Sequence, residues 1–311
     1  MFKNKILKPD FWDKSGLNFF SIILLPLTSI TIFINFIKRF KIKTKLNIKT
    51  ICVGNIYLGG TGKTQLVLKI NEIIKNRYKT FVLKKNYHDQ IDEQDLLKNK
   101  TNLILPKKRI EGLRRLNKLK KSVVIFDDGL QDKSINYDLS IVCFDSLNGI
   151  GNGKLLPAGP LREKLSELKN YDGVFINGEK NLSLYRKIRM NNKKIKIFSG
   201  KYILKNKKNF KLKFKYLAFC GIGNPINFFK LLKQNKIKVE KKIIFPDHYN
   251  YKLSDINNIK KFAIKNNLKI VTTEKDFMKI KKFNNFKVKV THVDFHLDKL
   301  KNFKDFLYNH L

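Results

Sequence analysis

The chain predicts an α/β fold on a mostly parallel sheet, and three observations carry that expectation. Short apolar runs alternate with helical patterns from Asn47 onward, the sign of a sheet whose strands are joined by crossover helices. A glycine-rich turn links the first apolar run to the first helix. No repeat with a period of about 20–50 residues recurs, which excludes a solenoid. With 311 residues there is room for two modest cores. The expected organisation is an N-terminal membrane-associated helix region over 1–40, a P-loop lobe over 41–200, a ribbon linker over 201–215 and a second, smaller α/β lobe over 216–311.

In the first lobe, strands are expected at 49–53, 80–83, 122–126, 141–144 and 173–176, and helices at 64–74, 110–118 and 182–190. A Lys- and Asn-dense stretch at 201–215 then interrupts the alternation and reads as a two-stranded ribbon at a domain junction. Beyond it come a strand at 216–220, a turn at 221–225 and helices at 226–234 and 254–266. A strand at 268–272, a helix opening at Thr273, a strand near 288–293 and a terminal helix at 299–310 complete the pattern.

Composition narrows the function classes. The formal charge is +41, from 66 basic and 25 acidic side chains, but only eight of the basic residues are Arg. Abundant Lys, Asn, Ile and Phe together look like an AT-rich coding bias that raises Lys everywhere. With no nucleic-acid motif and no aromatic–basic platform, the charge points to an anionic membrane surface or a phosphorylated substrate, not to nucleic acid. No obligate protein partner is evident. Cys52, Cys143 and Cys220 lie in apolar strand-like runs without metal-ligand spacing, so they read as buried hydrophobes of a reducing compartment and exclude a zinc site or a disulfide framework.

Residues 17–37 carry no charge and are about long enough to cross a bilayer, yet Pro26 sits mid-segment and Ser21, Thr28, Ser29 and Thr31 dilute the hydrophobicity. A shallow or hairpin-like insertion into the interface fits best, with a true span as the alternative. No small-residue cleavage site follows, which argues against a secretory signal.

Leu58-Gly59-Gly60-Thr61-Gly62-Lys63-Thr64 stands between the first strand and the first helix, as a phosphate-binding P-loop does. Glycines let backbone N–H groups curl around a phosphate, Lys63 reaches the β/γ-phosphates of ATP, and the Thr64 hydroxyl ligates Mg²⁺. The usual first glycine is Tyr57, and the doubled Gly59-Gly60 resembles the variant P-loops of dethiobiotin synthetases and partitioning ATPases, with Leu58 in place of their signature Lys. The run 122–126 leads straight into Asp127-Asp128-Gly129-Leu130-Gln131, where a Mg²⁺-site carboxylate belongs. We assign Asp128 to the metal together with Thr64. Asp92 and Glu93 either supply a general base or form an acidic helix N-terminus. The turn-rich stretch around Arg162-Glu163 is a long ordered loop, and the fork of Arg162 suits phosphate. Asp247-His248 follows Pro246 on a loop. Thr273-Glu274-Lys275-Asp276 matches a capping box as well as it matches a ligand contact.

Taken in order, these segments resemble the tetraacyldisaccharide 4′-kinase family of lipid A biosynthesis. The block Gly151-Asn152-Gly153-Lys154-Leu155-Leu156-Pro157-Ala158-Gly159-Pro160-Leu161-Arg162-Glu163 after the P-loop and Asp127-Asp128 is the most specific part. Gly221-Ile222-Gly223-Asn224-Pro225, Phe245-Pro246-Asp247-His248 and Thr273-Glu274-Lys275-Asp276 follow in the family's order. The resemblance implies transfer of the ATP γ-phosphate to the 4′-hydroxyl of an acylated disaccharide 1-phosphate, at the cytoplasmic face of the bacterial inner membrane. It also implies two α/β/α lobes joined by a ribbon, an N-terminal membrane helix, Asp92 as catalytic base and His248 as its partner. Three positions depart from the family pattern: Gln65 replaces Pro, Lys84-Lys85-Asn86-Tyr87 replaces Ser-Arg-Gly-Tyr, and Ile91-Asp92-Glu93-Gln94 replaces Gly-Asp-Glu-Pro. A membrane-anchored regulatory or partitioning P-loop ATPase is the alternative.

Overall fold

The computed structural model describes residues 9–13, 18–44, 47–87, 90–116, 119, 121–247, 249–283 and 287–311. They fall into two compact units: the larger holds the described residues of 8–87, 97–201 and 297–311, the smaller those of 88–96 and 202–296. In chain order the elements begin with α1 (Phe19–Ile23), α2 (Thr28–Arg39), β1 (Lys49–Gly54), α3 (Lys63–Ile74) and β2 (Lys79–Lys84). Next are α4 (Ile91–Lys98), β3 (Leu103–Ile104), α5 (Arg109–Leu116), β4 (Ser122–Asp127), β5 (Leu139–Asp145), β6 (Gly173–Asn177), α6 (Leu182–Asn191) and β7 (Lys196–Leu204). The smaller unit continues with β8 (Lys215–Cys220), α7 (Pro225–Gln234), β9 (Lys238–Ile244), α8 (Leu253–Lys265), β10 (Lys269–Thr273), α9 (Glu274–Ile280), β11 (Lys289–Thr291) and β12 (Val293–Leu297). The chain ends in α10 (Leu300–Tyr308).

The main sheet runs β12-β7-β6-β5-β1-β4-β2-β3, and β1 pairs in parallel with both β4 and β5. The chain builds β2, β3 and β4 on one side of β1, then crosses to build β5, β6 and β7 on the other. That reversal makes the carboxyl end of β1 a topological switch point, where open α/β sheets bind ligands. Every residue of β4 and β5 is buried, as expected for parallel strands covered on both faces. Helix α3 packs on β4, β1 and β2 and buries Leu66, Val67, Ile70 and Ile74. The smaller unit is a second parallel sheet, β11-β10-β8-β9, with its own apolar clusters. All three cysteines are free and buried in strands; burial pushes the Cys52 thiol up to about 12.

Three expectations need adjusting. No helix among the described residues is long and apolar enough to cross a membrane. The stretch read as a membrane helix is instead α1 and α2, separated at 24–27, where Pro26 lacks a backbone donor. At 12 residues α2 is about 18 Å long, short of the roughly 30 Å hydrocarbon core. Residues 201–215 do not form a ribbon by themselves: they hold the end of β7, a short 3₁₀ turn and the first residue of β8, and β7 takes β12 as its neighbour. The C-terminal helix leaves the second lobe: Phe303 and Phe306 of α10 pack on Phe198, Phe303 also meets Phe175, and Tyr308 donates to the Ile73 carbonyl at 3.0 Å. Its apolar stripe finds an aromatic surface on the larger unit.

Candidate active site

The glycine-rich turn takes a conformation that its residues make possible. Gly62 has φ +81 at the N-cap of α3, in the left-handed region where a Cβ is costly, so the helix can start directly at Lys63. The Asn55 amide donates to the Gly59 carbonyl at 3.1 Å and ties the loop's two ends together. Tyr57, at the position of the usual first glycine, is buried and donates its hydroxyl to Asp13 at 2.7 Å. The buried Thr61 hydroxyl and the Asn55 Oδ1 find no partner among the described residues.

The loop carrying Arg162 is laced onto this turn. Leu58 N–H donates to the Pro160 carbonyl at 2.8 Å, and Arg162 N–H donates to the Ile56 carbonyl at 2.7 Å. The Asn152 amide donates to the Ala158 carbonyl at 2.9 Å. Gln131 bridges the two segments: its amide donates to the Asn55 carbonyl at 2.9 Å, and its carbonyl accepts from Arg162 at 3.2 Å. Glu163 is buried and receives the Tyr171 hydroxyl at 2.6 Å and Lys133 at 3.6 Å.

At the end of β4 the two adjacent aspartates part company. Asp127, the last strand residue, accepts the Thr64 hydroxyl at 3.1 Å and the buried Lys84 ammonium at 2.9 Å, both on Oδ2; its Oδ1 is buried without a partner among the described residues. Asp128 sits at φ +64, so its carboxylate turns away to meet Lys63 at 3.8 Å and Arg162 at 3.3 Å. Burial works against its ionisation, but Lys63, Arg162, Lys84 and Arg109 outweigh burial and hold it below the usual carboxylate range. Arg109 also donates to the Asp128 carbonyl and pairs with Asp132 at 3.8 Å. Thus the residue touching Thr64 is Asp127, whereas the sequence reading paired Asp128 with Thr64 at the metal. The left-handed turn at Asp128 is the physical reason.

The structure therefore brings together Gly59, Gly60, Thr61, Gly62, Lys63, Thr64, Asp127, Asp128 and Arg162. His248 and the side chain of Asp92 lie outside the described residues. Thr273 and Asp276 have a structural duty: Thr273 caps α9 by accepting Asp276 N–H at 3.1 Å. Sequence reading missed Lys84 and Arg109. Arginine scarcity was the available signal for the second: in a chain with only eight, both Arg109 and Arg162 converge on Asp128.

Comparison with known proteins decides the family. The model of the tetraacyldisaccharide-1-P 4′-kinase family matches residues 20–311. The chain belongs to that family. It is 46% identical to the tetraacyldisaccharide 4′-kinase of Pelagibacter ubique (strain HTCC1062) over 286 residues, 90% of each chain. It is 35% identical to the corresponding enzyme of Rickettsia bellii (strain OSU 85-389), covering 89% of this chain and 90% of that one. The fold is shared with the crystal structure of the "apo" form of LpxK from Aquifex aeolicus in complex with ATP, at a TM-score of 0.69 over 93% of this chain and 99% of that chain, with 24% identity. The mainly parallel α/β architecture is common to both.

Proposed function

We propose that this chain transfers the γ-phosphoryl group of ATP to the 4′-hydroxyl of a tetraacyldisaccharide 1-phosphate, the reaction its family membership implies. The observation that carries the reading is the charged cluster behind the P-loop: Lys63, Thr64, Asp127, Asp128 and Arg162 on one switch point of the sheet. Phosphoryl transfer is mostly positioning and charge stabilisation, and such a cluster does both. Lys63 and Arg162, parked on Asp128, are the cations available to a triphosphate. Arg162 offers a planar fork for its oxygens.

The residues present fit Mg²⁺. Asp127 Oδ1 is a buried anionic oxygen with no partner among the described residues, beside the Thr64 hydroxyl, and both are hard oxygen donors. These two would hold the ion, which when bound neutralises charge on the β- and γ-phosphates. Asp92 is the base that takes the hydroxyl proton in this reading, with His248 orienting it. Asp92→Asn should then lower kcat about a hundredfold while barely moving the KM for ATP.

The acylated substrate places the enzyme at a membrane surface, and α1 and α2 supply the means. Phe19, Phe33 and Phe40 are 70%, 63% and 72% exposed, among many exposed Ile side chains, with Lys38, Arg39, Lys41 and Lys43 alongside. An apolar face flanked by cations suits the interface of an anionic bilayer, here the cytoplasmic face of the inner membrane. The regulatory ATPase alternative is not favoured, since the family is a kinase family and Leu58 stands where the signature Lys of partitioning ATPases would be. The test is incubation with γ-labelled ATP and an acylated disaccharide 1-phosphate. Label in the 4′-phosphate is the expected result; release of free phosphate with no labelled lipid would sink the reading.

A further inference from the structure

We propose that Lys84 is a resident counter-cation for Asp127, one that positions this carboxylate and weakens the site's grip on its divalent ion. The inference rests on the Mg²⁺ reading of Asp127 and Thr64 given above. It begins with burial. Lys84 is the only buried lysine among the described residues of a chain very rich in lysine. A buried ammonium is unfavourable unless it is paired, so its position needs a partner. The partner is set by the sheet: β2 lies beside β4 in parallel, with Lys84 in register with Asp127. Residues in register on neighbouring strands share a face, and the ammonium reaches Asp127 Oδ2 at 2.9 Å with side chains only 3% and 0% exposed.

Two consequences follow for the carboxylate. Oδ2 already receives both Lys84 and the Thr64 hydroxyl, so the carboxylate is held in one orientation and Oδ1 is the oxygen left open. Charge is the second. Asp127 and Asp128 face four cations, Lys63, Lys84, Arg109 and Arg162, before any metal arrives. An ammonium on the same carboxylate repels an incoming divalent ion, and in a buried site that repulsion is weakly screened. Lys84 therefore makes the site depend on the nucleotide's own negative charge to retain the metal.

The experiment titrates Mn²⁺ by the loss of its free-ion paramagnetic signal, with a non-hydrolysable ATP analogue present. Lys84→Gln keeps a donor and removes the charge, Lys84→Met removes both, and Lys84→Arg keeps the charge. The half-saturating Mn²⁺ concentration should fall about tenfold or more in the Gln and Met variants and stay within about twofold in the Arg variant. The half-saturating Mg²⁺ for turnover should fall in parallel. Neutral variants that bind Mn²⁺ no more tightly than the parent would overturn the proposal. So would a loss of the fold in both neutral variants while Lys84→Arg folds, because the pair would then be purely structural. Asp127→Asn and Thr64→Ala separate the two readings. If neither weakens Mn²⁺ binding, the metal assignment itself fails; if both weaken it and Lys84→Gln does not tighten it, only the role of Lys84 fails.

Discussion

Asp128 in the larger unit and Asp276 in the smaller one both lie just past the carboxyl ends of parallel strands, and their surroundings drive them in opposite directions. Asp128 is ringed by Lys63, Arg162, Lys84 and Arg109, which overcome burial and keep it charged. Asp276 is fully buried, and its pKa is raised: burial dominates over the Thr273 and Tyr251 hydroxyls, Lys279 and the Gly221 N–H, which pull the other way. Both Asp276 oxygens are occupied, Oδ1 by Gly221 N–H at 3.0 Å and Tyr251 at 2.8 Å, Oδ2 by Thr273 at 2.6 Å. A buried carboxylate saturated by neutral donors fastens β8, β10 and α9 together. One surrounded by excess cations, next to an aspartate with an unused oxygen, is arranged for an anionic ligand.

The largest effect should come from Lys63→Ala, which removes a cation from the charged cluster and should lower kcat about a thousandfold, as losing a key electrostatic group does. An intact circular dichroism spectrum would locate that loss in the site. Asp128→Asn should cost about a hundredfold in turnover, whereas Asp276→Asn should leave kcat unchanged. Equal losses from the two would erase the distinction between the carboxylates. Asp276→Ala strands the Tyr251 and Thr273 hydroxyls and should cost about 1–3 kcal/mol in urea unfolding, with activity retained at moderate temperature.

Acid titration sharpens the same contrast. Asp128 has a lowered folded pKa, so its stabilisation is present above the unfolded carboxylate value and is lost as pH falls through the folded value. Asp276 has a raised folded pKa, so its contribution is complete below the unfolded value and is lost as pH rises through the folded one. Relative to the parent, Asp276→Asn should therefore gain stability between about pH 4 and pH 7, whereas the loss from Asp128→Asn should be constant over that range and should shrink only as pH falls below about 4. Urea midpoints at about pH 3, pH 4 and pH 7 measure both windows, and an Asp276→Asn effect that does not change between pH 4 and pH 7, or an Asp128→Asn effect that does, would contradict the assignment.

Much of this was legible in the chain because the decisive signals are local. Gly59 to Thr64 between an apolar run and a helix, and Ser122–Asp127 leading into Asp128-Gly129, need only neighbouring residues to interpret. Strand β9 was not legible: Lys238, Glu240, Lys241 and Lys242 are exposed on an edge strand, which carries no continuous apolar run. Nor could sequence say which aspartate meets Thr64, because that turns on the sign of φ at Asp128. Lys84 and Arg109 look like ordinary surface cations until β2 and α5 are set beside β4, a contact made across the sheet and not along the chain.

Of the polar residues in the N-terminal apolar segment, Thr28 and Ser29 bond the nearby Leu25 and Pro26 carbonyls, whereas Ser21, Thr31 and Asn35 reach the loop that carries Arg162. Ser21 donates to the Ala158 carbonyl at 2.9 Å, Thr31 to Leu156 at 2.7 Å and Asn35 to Arg162 at 2.8 Å, while Trp12 donates to Pro157 at 3.0 Å. Trimming residues 1–40 to obtain an easily handled enzyme would strip four donors from the backbone that presents Arg162, so such a shortened protein should lose turnover along with its stickiness. Repainting the outward side is the better route to a tractable enzyme. Phe33→Ser, Ile37→Lys and Phe40→Ser alter exposed side chains and leave Ser21, Thr31 and Asn35 at their posts.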